Sequence, residues 1–336
     1  MKNSIAFSLL FVSLLLLFVI DVIFGSVSIP FNDFIDLLNG KTISKSYELI
    51  IMDSRIPKAL TAILCGASLS LAGLLMQTLF RNPLAGPYIL GISSGAGLGV
   101  AILVMGAGFL GITITSGLST NLAAVLGAIT FLIILFLVSL KVKDVMTLLI
   151  FGVMLGSIST AIIGLIKFFS TDYQLKSFVI WTLGSLSAVS YMELTILGLL
   201  LFFGILLAFQ QAKNLNAILI GENFAKVLGV SILNTRLISI LISGLLAGLT
   251  TALCGPIGFV GIIIPHLCRM IFRTSNHFIL IPSCILLGAN ILLLSDILAH
   301  LPSNGLSLPI NSITSMIGIP IILWIIFGKK ALSKSF

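Results

Sequence analysis

Apolar runs dominate this chain, and they leave it few ways to fold. Ten stretches of 17 to 23 residues run with almost no charge: 5–24, 57–79, 88–107, 118–140, 145–167, 191–210, 234–254, 257–273, 278–299 and 311–328. About 20 apolar residues cross roughly 30 Å of hydrocarbon as a helix. Inside a bilayer each backbone N–H and C=O must find its partner within the protein, so only helices and closed barrels span it. A barrel strand alternates apolar with polar residues, and these runs are continuous. The sequence therefore predicts an all-α polytopic membrane protein with ten transmembrane helices, a single transmembrane domain over residues 1–336. Only 8% of its residues are charged, against about 25% in a soluble domain. The first run has no A-x-A cleavage pattern after it, and nine more runs follow, so it reads as a retained helix.

The net charge of +8 fits membrane orientation better than nucleic-acid binding, since no basic cluster interleaves with aromatics. With the N-terminus inside, Lys2, Arg81, Lys141, Lys143, Lys213, Lys226, Arg236, Arg269, Arg273, Lys329, Lys330 and Lys334 face the cytoplasm. Lys41, Lys45, Arg55, Lys58, Lys167 and Lys176 face out. This excess predicts both termini in the cytoplasm and an even number of spans.

Two breaks interrupt the pattern. In "RNPLAGPYILGISSGAG" (81–97), Pro83 and Pro87 lack amide hydrogens and stop helices. Asn82 suits a turn. Irregular backbone at a bilayer belongs inside protein or beside a cavity, so this break is expected to be buried or to border one. Gly91, Gly95 and Gly99 follow at four-residue spacing, a stripe that lets helices approach closely. The second break, "CGPIGFVGIIIPH" (254–266), faces outward in this topology. Spans two to five and seven to ten each read helix, break, helices, with the breaks on opposite sides. That pattern predicts an inverted repeat, a common transporter design.

Catalytic chemistry finds little support. "NGKT" (39–42) lacks the glycine a phosphate-binding loop needs, because Ile35 occupies that place. Asp21, Glu193 and Asp296 are scattered near span ends, and His266, His277 and His300 have no metal spacing. Cys65, Cys254, Cys268 and Cys284 form no CxxC pair and read as packing residues. No metal and no cofactor are expected, and the chain is not expected to be an enzyme. Mid-span charges are nearly absent, which points to an energy source outside the chain, since ion-coupled carriers need ionisable groups deep in the bundle.

The largest cytoplasmic loop, 211–233, reads "QAKNLNAILIGENFAKVLGVSIL". Gly221 and Gly229 bracket a short helical stretch in which Phe224, Val227 and Leu228 recur at helical spacing, opposite Glu222, Asn223 and Lys226. Such a helix either lies on the membrane or docks into a partner's groove. In span five, Gly152, Gly156, Thr160 and Gly164 form a second small-residue stripe.

Four stretches together carry a resemblance. "RIPKALTAILCGASLSLAGLLMQTLFRNPLAGPYILGISSGAGLG" (55–99), "LIGENFAKVLGV" (219–230), "GPIGFVGIIIPHLCRMIF" (255–272) and "LPINSITSMIGIPIILWII" (308–326) resemble the FecCD-type permease subunits of bacterial ABC importers for ferric siderophores, haem and vitamin B12. The resemblance implies a homodimer with the pathway at its centre, two ATPase subunits in the cytoplasm and a substrate-binding protein docked outside. It implies that Gly221, Glu222, Phe224, Ala225, Val227, Leu228 and Gly229 couple to the ATPase, and that Asn82, Pro83 and Leu84 form a cytoplasmic gate. It also implies that the Gly152–Gly164 stripe lines the pathway and that Arg55 and Lys58 meet the binding protein. His300 stands where the family has a further arginine. The implied function is import of an iron chelate, ferric siderophore or haem, across the inner membrane. Vitamin B12 import and an ion-coupled secondary carrier are the alternatives, and a membrane-bound transferase lacks any paired-acid site.

Overall fold

The computed structural model describes residues 2–25, 27, 29–41, 43–106, 117–142, 144–301 and 307–327. Lys143, Lys329, Lys330 and Lys334 lie outside the described residues, as do the ends of the third and tenth expected spans. Fourteen α-helices are described: α1 Lys2–Ile23, α2 Phe31–Leu38, α3 Lys45–Leu49, α4 Ile56–Phe80, α5 Ile92–Ala101, α6 Gly117–Lys141, α7 Val145–Phe168, α8 Asp172–Leu183, α9 Tyr191–Ile220, α10 Glu222–Val227, α11 Ile232–Cys254, α12 Val260–Phe272, α13 His277–Ala299 and α14 Ile310–Phe327. Among the described residues there is no strand.

Every expected span coincides with a helix, but their lengths differ. Seven helical segments are long and apolar enough to cross a membrane, while Ile92–Gly106, Val260–Phe272 and the segment of α14 are shorter. The 13 residues of α12 rise only about 20 Å. The shortfall has a cause: both breaks enter the bundle instead of staying at its ends. Tyr88, in the 3-10 turn Pro87–Leu90, donates its hydroxyl to Ile257 O at 2.5 Å and accepts from Ile257 N at 3.1 Å. Ala85, Gly86 and Pro87 are buried, whereas Arg81 and Leu84 are exposed, so the first break is buried in its second half only.

Two helices make the centre. Of the most apolar stretch around α4, 83% is buried, and of α11 72%, against 11% for α1 and 17% for α7. α4 and α11 run antiparallel, since Cys65 meets Cys254 and Ser243 Oγ donates to Ala72 O at 3.2 Å. α4 also lies antiparallel on α13: Lys58 reaches Asp296 and Thr78 reaches His277. Reciprocally, α11 lies antiparallel on α6, with Arg236 at Ser139 and Gly248 at Ala128. Each half thus places its first helix against the third helix of the other, the exchange an inverted repeat requires.

Small residues permit these crossings. A methyl group added at Gly73 would lie 1.7 Å from Gly261 O, and one at Gly66 2.2 Å from Gly288 O. Of the expected stripe, Gly95 faces Gly127 and Gly99 faces Ala123 of α6 in the same way, while Gly91 lies outside α5 in left-handed backbone and faces Gly152 of α7. Close backbone contact replaces the hydrophobic drive that lipid cannot supply.

Two features differ from the sequence reading. α9 runs to Ile220, so the first ten residues of the expected 211–233 loop continue a span. Gln211, Ala212, Leu215, Ala217 and Ile218 are buried there, and this tertiary burial keeps the extension helical. α8 was not anticipated. Thr171 and Gln174 cap it reciprocally, Lys167 Nζ stands 5.0 Å over the Phe178 ring, and Gly184 and Ser185 at its end meet Cys254 O. The helix is held by packing on the second break, which its own hydropathy does not announce.

Candidate functional site

At one end of the bundle α4 stops at Arg81, whose φ of 45° is left-handed. Asn82 N–H donates back to Gln77 O at 3.1 Å. The Asn82 carboxamide then accepts from Leu84 N at 2.9 Å, and Asn82 O accepts from Ala85 N at 3.0 Å. This is an Asx turn, for which Asn is suited because its side chain mimics a backbone carbonyl. Pro83 fixes its φ. Leu84 is left 40% exposed, an apolar side chain at the bundle end.

Arg81 links this turn to the next element. Its guanidinium donates to Ile218 O at 2.6 Å, three residues before Gly221. The sequence reading counted Arg81 only as a topogenic charge, since nothing local marks its partner. Beyond it stands α10. Ala225 is fully buried and packs with Ala217, Ile218, Val230 and Ile232, so it anchors the helix from beneath. Phe224, Val227 and Leu228 are 47%, 86% and 59% exposed. Gly229, at φ +79°, turns the chain towards α11, and Val230 N closes on Ala225 O at 3.0 Å. Of the seven residues expected to couple, three form the apolar outer face, while Ala225 belongs to the foundation. Glu222 opens the helix, where its charge suits the positive end.

Just inside the turn lies a buried polar layer that sequence reasoning missed. Gln77 accepts from Arg269 Nη1 at 2.5 Å and donates to Ile262 O at 2.8 Å. His277 bridges Thr78 (2.8 Å) and Asn216 (2.7 Å). These contacts tie the last turn of α4 to α9, α12 and α13. Each residue is unremarkable in its own segment; only the helix crossings unite them. Outside the membrane-spanning segments, the Thr147 hydroxyl and amide hold the Asp144 carboxyl below the usual carboxylate range, capping α7.

The stripe on α7 divides. Gly152 is buried against Ile89 O and Leu90, and Gly156 faces Ser94. Both therefore serve packing onto the first break. Thr160 is exposed, and nothing lies within 4 Å of the place a side chain would take at Gly164.

At the opposite end the expected docking trio lies largely inside. Arg55 and Lys58 are each 5% exposed. Arg55 donates to the carbonyls of Val22, Ile23 and Val27, closing the end of α1. Lys58 Nζ lies 2.7 Å from Asp296 and 3.9 Å from Asp21, and His300 Nδ1 is 2.9 Å from Asp296 O and 3.8 Å from its carboxylate. The expectation of outward basic residues is thus corrected. The i, i+3 spacing does place Arg55 and Lys58 on one side, but α1 and α13 cover that side and bring two carboxylates to it. The acids read as scattered are, for Asp21 and Asp296, one cluster. Glu193 stands apart, in a capping box with Ser190.

Known proteins are similar to this chain as a whole. The profile of the FecCD transport family matches residues 13–328. The chain is 35% identical over 292 residues to the vitamin B12 import system permease protein BtuC of Klebsiella pneumoniae, covering 87% of this chain and 86% of that one. It is 35% identical over 288 residues to the protein of the same name from Salmonella arizonae, covering 85% of each. A solved structure, an inward-facing conformation of a transporter assigned to the metal-chelate ABC type, superposes with a TM-score of 0.84 at 30% identity over 96% of this chain and 99% of its own. With its profile matched from end to end of the bundle and its helices superposing on a transporter's, the chain belongs to the FecCD transport family.

Proposed function

We propose that this chain is the membrane-spanning permease subunit of an ATP-binding-cassette importer, working as a homodimer in the bacterial inner membrane with both termini in the cytoplasm. The supporting observation is α10: a short helix anchored through Ala225, joined to the 81–87 turn through Arg81, and presenting Phe224, Val227 and Leu228 to a partner. Two separate ATPase subunits take that face and supply the energy. Movement of α10 reaches the turn by the Arg81–Ile218 contact, so Asn82, Pro83 and Leu84 serve as the gate. Thr160 and Gly164 are the members of the α7 stripe left open to line a pathway against the second copy. The substrate-binding protein docks on the opposite end, where His300 is the member of the basic trio that reaches the surface.

The cargo in this reading is an iron chelate, a ferric siderophore or haem. The metal-chelate assignment of the superposed transporter supports it, while the curated relatives are named for vitamin B12 import and make cobalamin the second reading. Transport is tested in proteoliposomes holding the permease, its ATPase and its binding protein. Leu228→Asp is expected to insert normally, to keep at least half the parent's thermal stability margin, and to lose uptake at least tenfold. Normal uptake with a full complement of ATPase refutes the docking assignment. Competition between a ferric chelate and cobalamin for the binding protein decides the cargo.

A further inference from the structure

Cys65 and Cys254 belong to different halves of the bundle, yet their Sγ atoms lie 3.3 Å apart at 0% and 2% exposure. Cys65 sits beside Gly66, where α4 crosses α13. Cys254 ends α11, and its carbonyl accepts from Ser185 N at 2.9 Å. Three residues further on, Ile257 exchanges hydrogen bonds with Tyr88 of the first break. The thiols therefore touch where the two central helices and both breaks converge.

We infer that Cys65 and Cys254 are an oxidisable dithiol whose disulfide pins the two halves of the bundle together. A disulfide has its sulfurs about 2.05 Å apart, so closure needs an approach of about 1.2 Å, within the reach of side-chain rotation and small helix shifts. The oxidant is a small uncharged hydroperoxide, which can enter an apolar interior. In the first step one thiol sulfur takes an oxygen from hydrogen peroxide, giving a sulfenic acid and water. In the second, the other thiol displaces that hydroxyl: the S–S bond forms, the S–O bond breaks, and the second water carries off the thiol proton. Two thiols lose two electrons and the peroxide O–O bond gains them. Both thiols are buried and only a small neutral oxidant reaches them, so the bridge forms slowly and marks sustained oxidant rather than brief exposure. Once formed, it joins α4 to the last residue of α11, and any motion that separates the halves at the breaks must stop.

The test uses the full chain in nanodiscs, in a Cys268→Ser, Cys284→Ser background. After treatment with hydrogen peroxide and alkylation under denaturing conditions, the intact mass should be lower by two hydrogens, with both thiols blocked. Digestion should yield one peptide joining Cys65 to Cys254, absent from Cys65→Ala and Cys254→Ala. In the reconstituted importer, oxidation should lower uptake at least tenfold, a thiol reductant should restore it, and Cys65→Ala should be insensitive. Full alkylation of both thiols after peroxide, or sulfinic acids without the joined peptide, overturns the dithiol. A quantitative bridge with unchanged uptake overturns the lock. The uptake arm rests on the importer reading; if unoxidised protein shows no uptake, that reading fails, and the mass measurement still decides the dithiol.

Discussion

Replacing Lys58 with Met isolates what the buried cluster contributes. Lys58 Nζ lies 2.7 Å from Asp296 and 3.9 Å from Asp21, and both acids are almost wholly buried. With an effective dielectric of about 20, the closer attraction, to Asp296, is roughly 6 kcal/mol. Most of that offsets the cost of taking the Lys58–Asp296 pair out of water. Removing the lysine alone forfeits the attraction and leaves Asp296 without its cation in a dry site. Breaking a buried pair from one side costs about 3–5 kcal/mol. Met retains the apolar stem, so packing changes little. The expected result is a loss of about 3–5 kcal/mol in reversible unfolding of the detergent-solubilised protein, followed by loss of helical signal in graded denaturant. Adding Asp21→Asn and Asp296→Asn to Lys58→Met should restore most of it, because no uncompensated charge remains. A loss below about 1 kcal/mol, as at an exposed ion pair, refutes the reasoning and returns Lys58 to a surface role in docking. The triple variant separates the two further: an internal strut predicts recovered stability with parent affinity for the binding protein, whereas a docking contact predicts recovered stability with weakened affinity.

Gly73→Ala should destabilise by about 3 kcal/mol through overpacking, because the added methyl meets Gly261 O, while Gly164→Ala should fall within about 0.5 kcal/mol of the parent; equal effects in the same unfolding assay would sink the packing account. Leu84→Cys should crosslink to its mate in some nucleotide states of the assembled importer and not in others, and state-independent crosslinking would reduce the 81–87 stretch to a fixed turn. The Asp144 carboxyl is held below its usual range by Thr147, so its cap is present above the ordinary carboxylate pKa of about 3.9 and is lost as pH falls through the lower folded value. Amide exchange protection at Thr147, corrected for intrinsic rate, should therefore persist at pH 5 and drop only below about pH 4; protection independent of pH, or equal in Asp144→Ala, would remove the cap.

Much of this molecule is a matter of local chemistry. Continuous apolar runs leave backbone groups no partner but their own helix, so the ten helical segments follow from hydropathy. Asn82 and Pro83 specify an Asx turn by their own bonds. The glycines at 95 and 99 mark a close-packing face because helical period puts them on one line, whereas Gly91, in left-handed backbone just before α5, meets α7 at Gly152 instead. Phe224, Val227 and Leu228 share a face for the same reason, and the structure leaves that face bare. The tertiary structure decided the rest. Whether an apolar helix meets lipid or protein is invisible in its hydropathy, since both neighbours are equally apolar to it; shape at Gly66, Gly73, Gly261 and Gly288 set α4 against α12 and α13, and shape at Gly244 and Gly248 set α11 against α6, while α7 stayed at the rim. Short helices that end inside the bundle, with Tyr88 meeting Ile257, need a second break to supply each one's missing partner. Arg55 and Lys58 read as outward charges because the groups they meet lie outside their own segment, and Asp21 and Asp296 read as scattered because they stand in α1 and α13. Charges pair by distance in space, and that distance is set only when three helices far apart in the chain have packed.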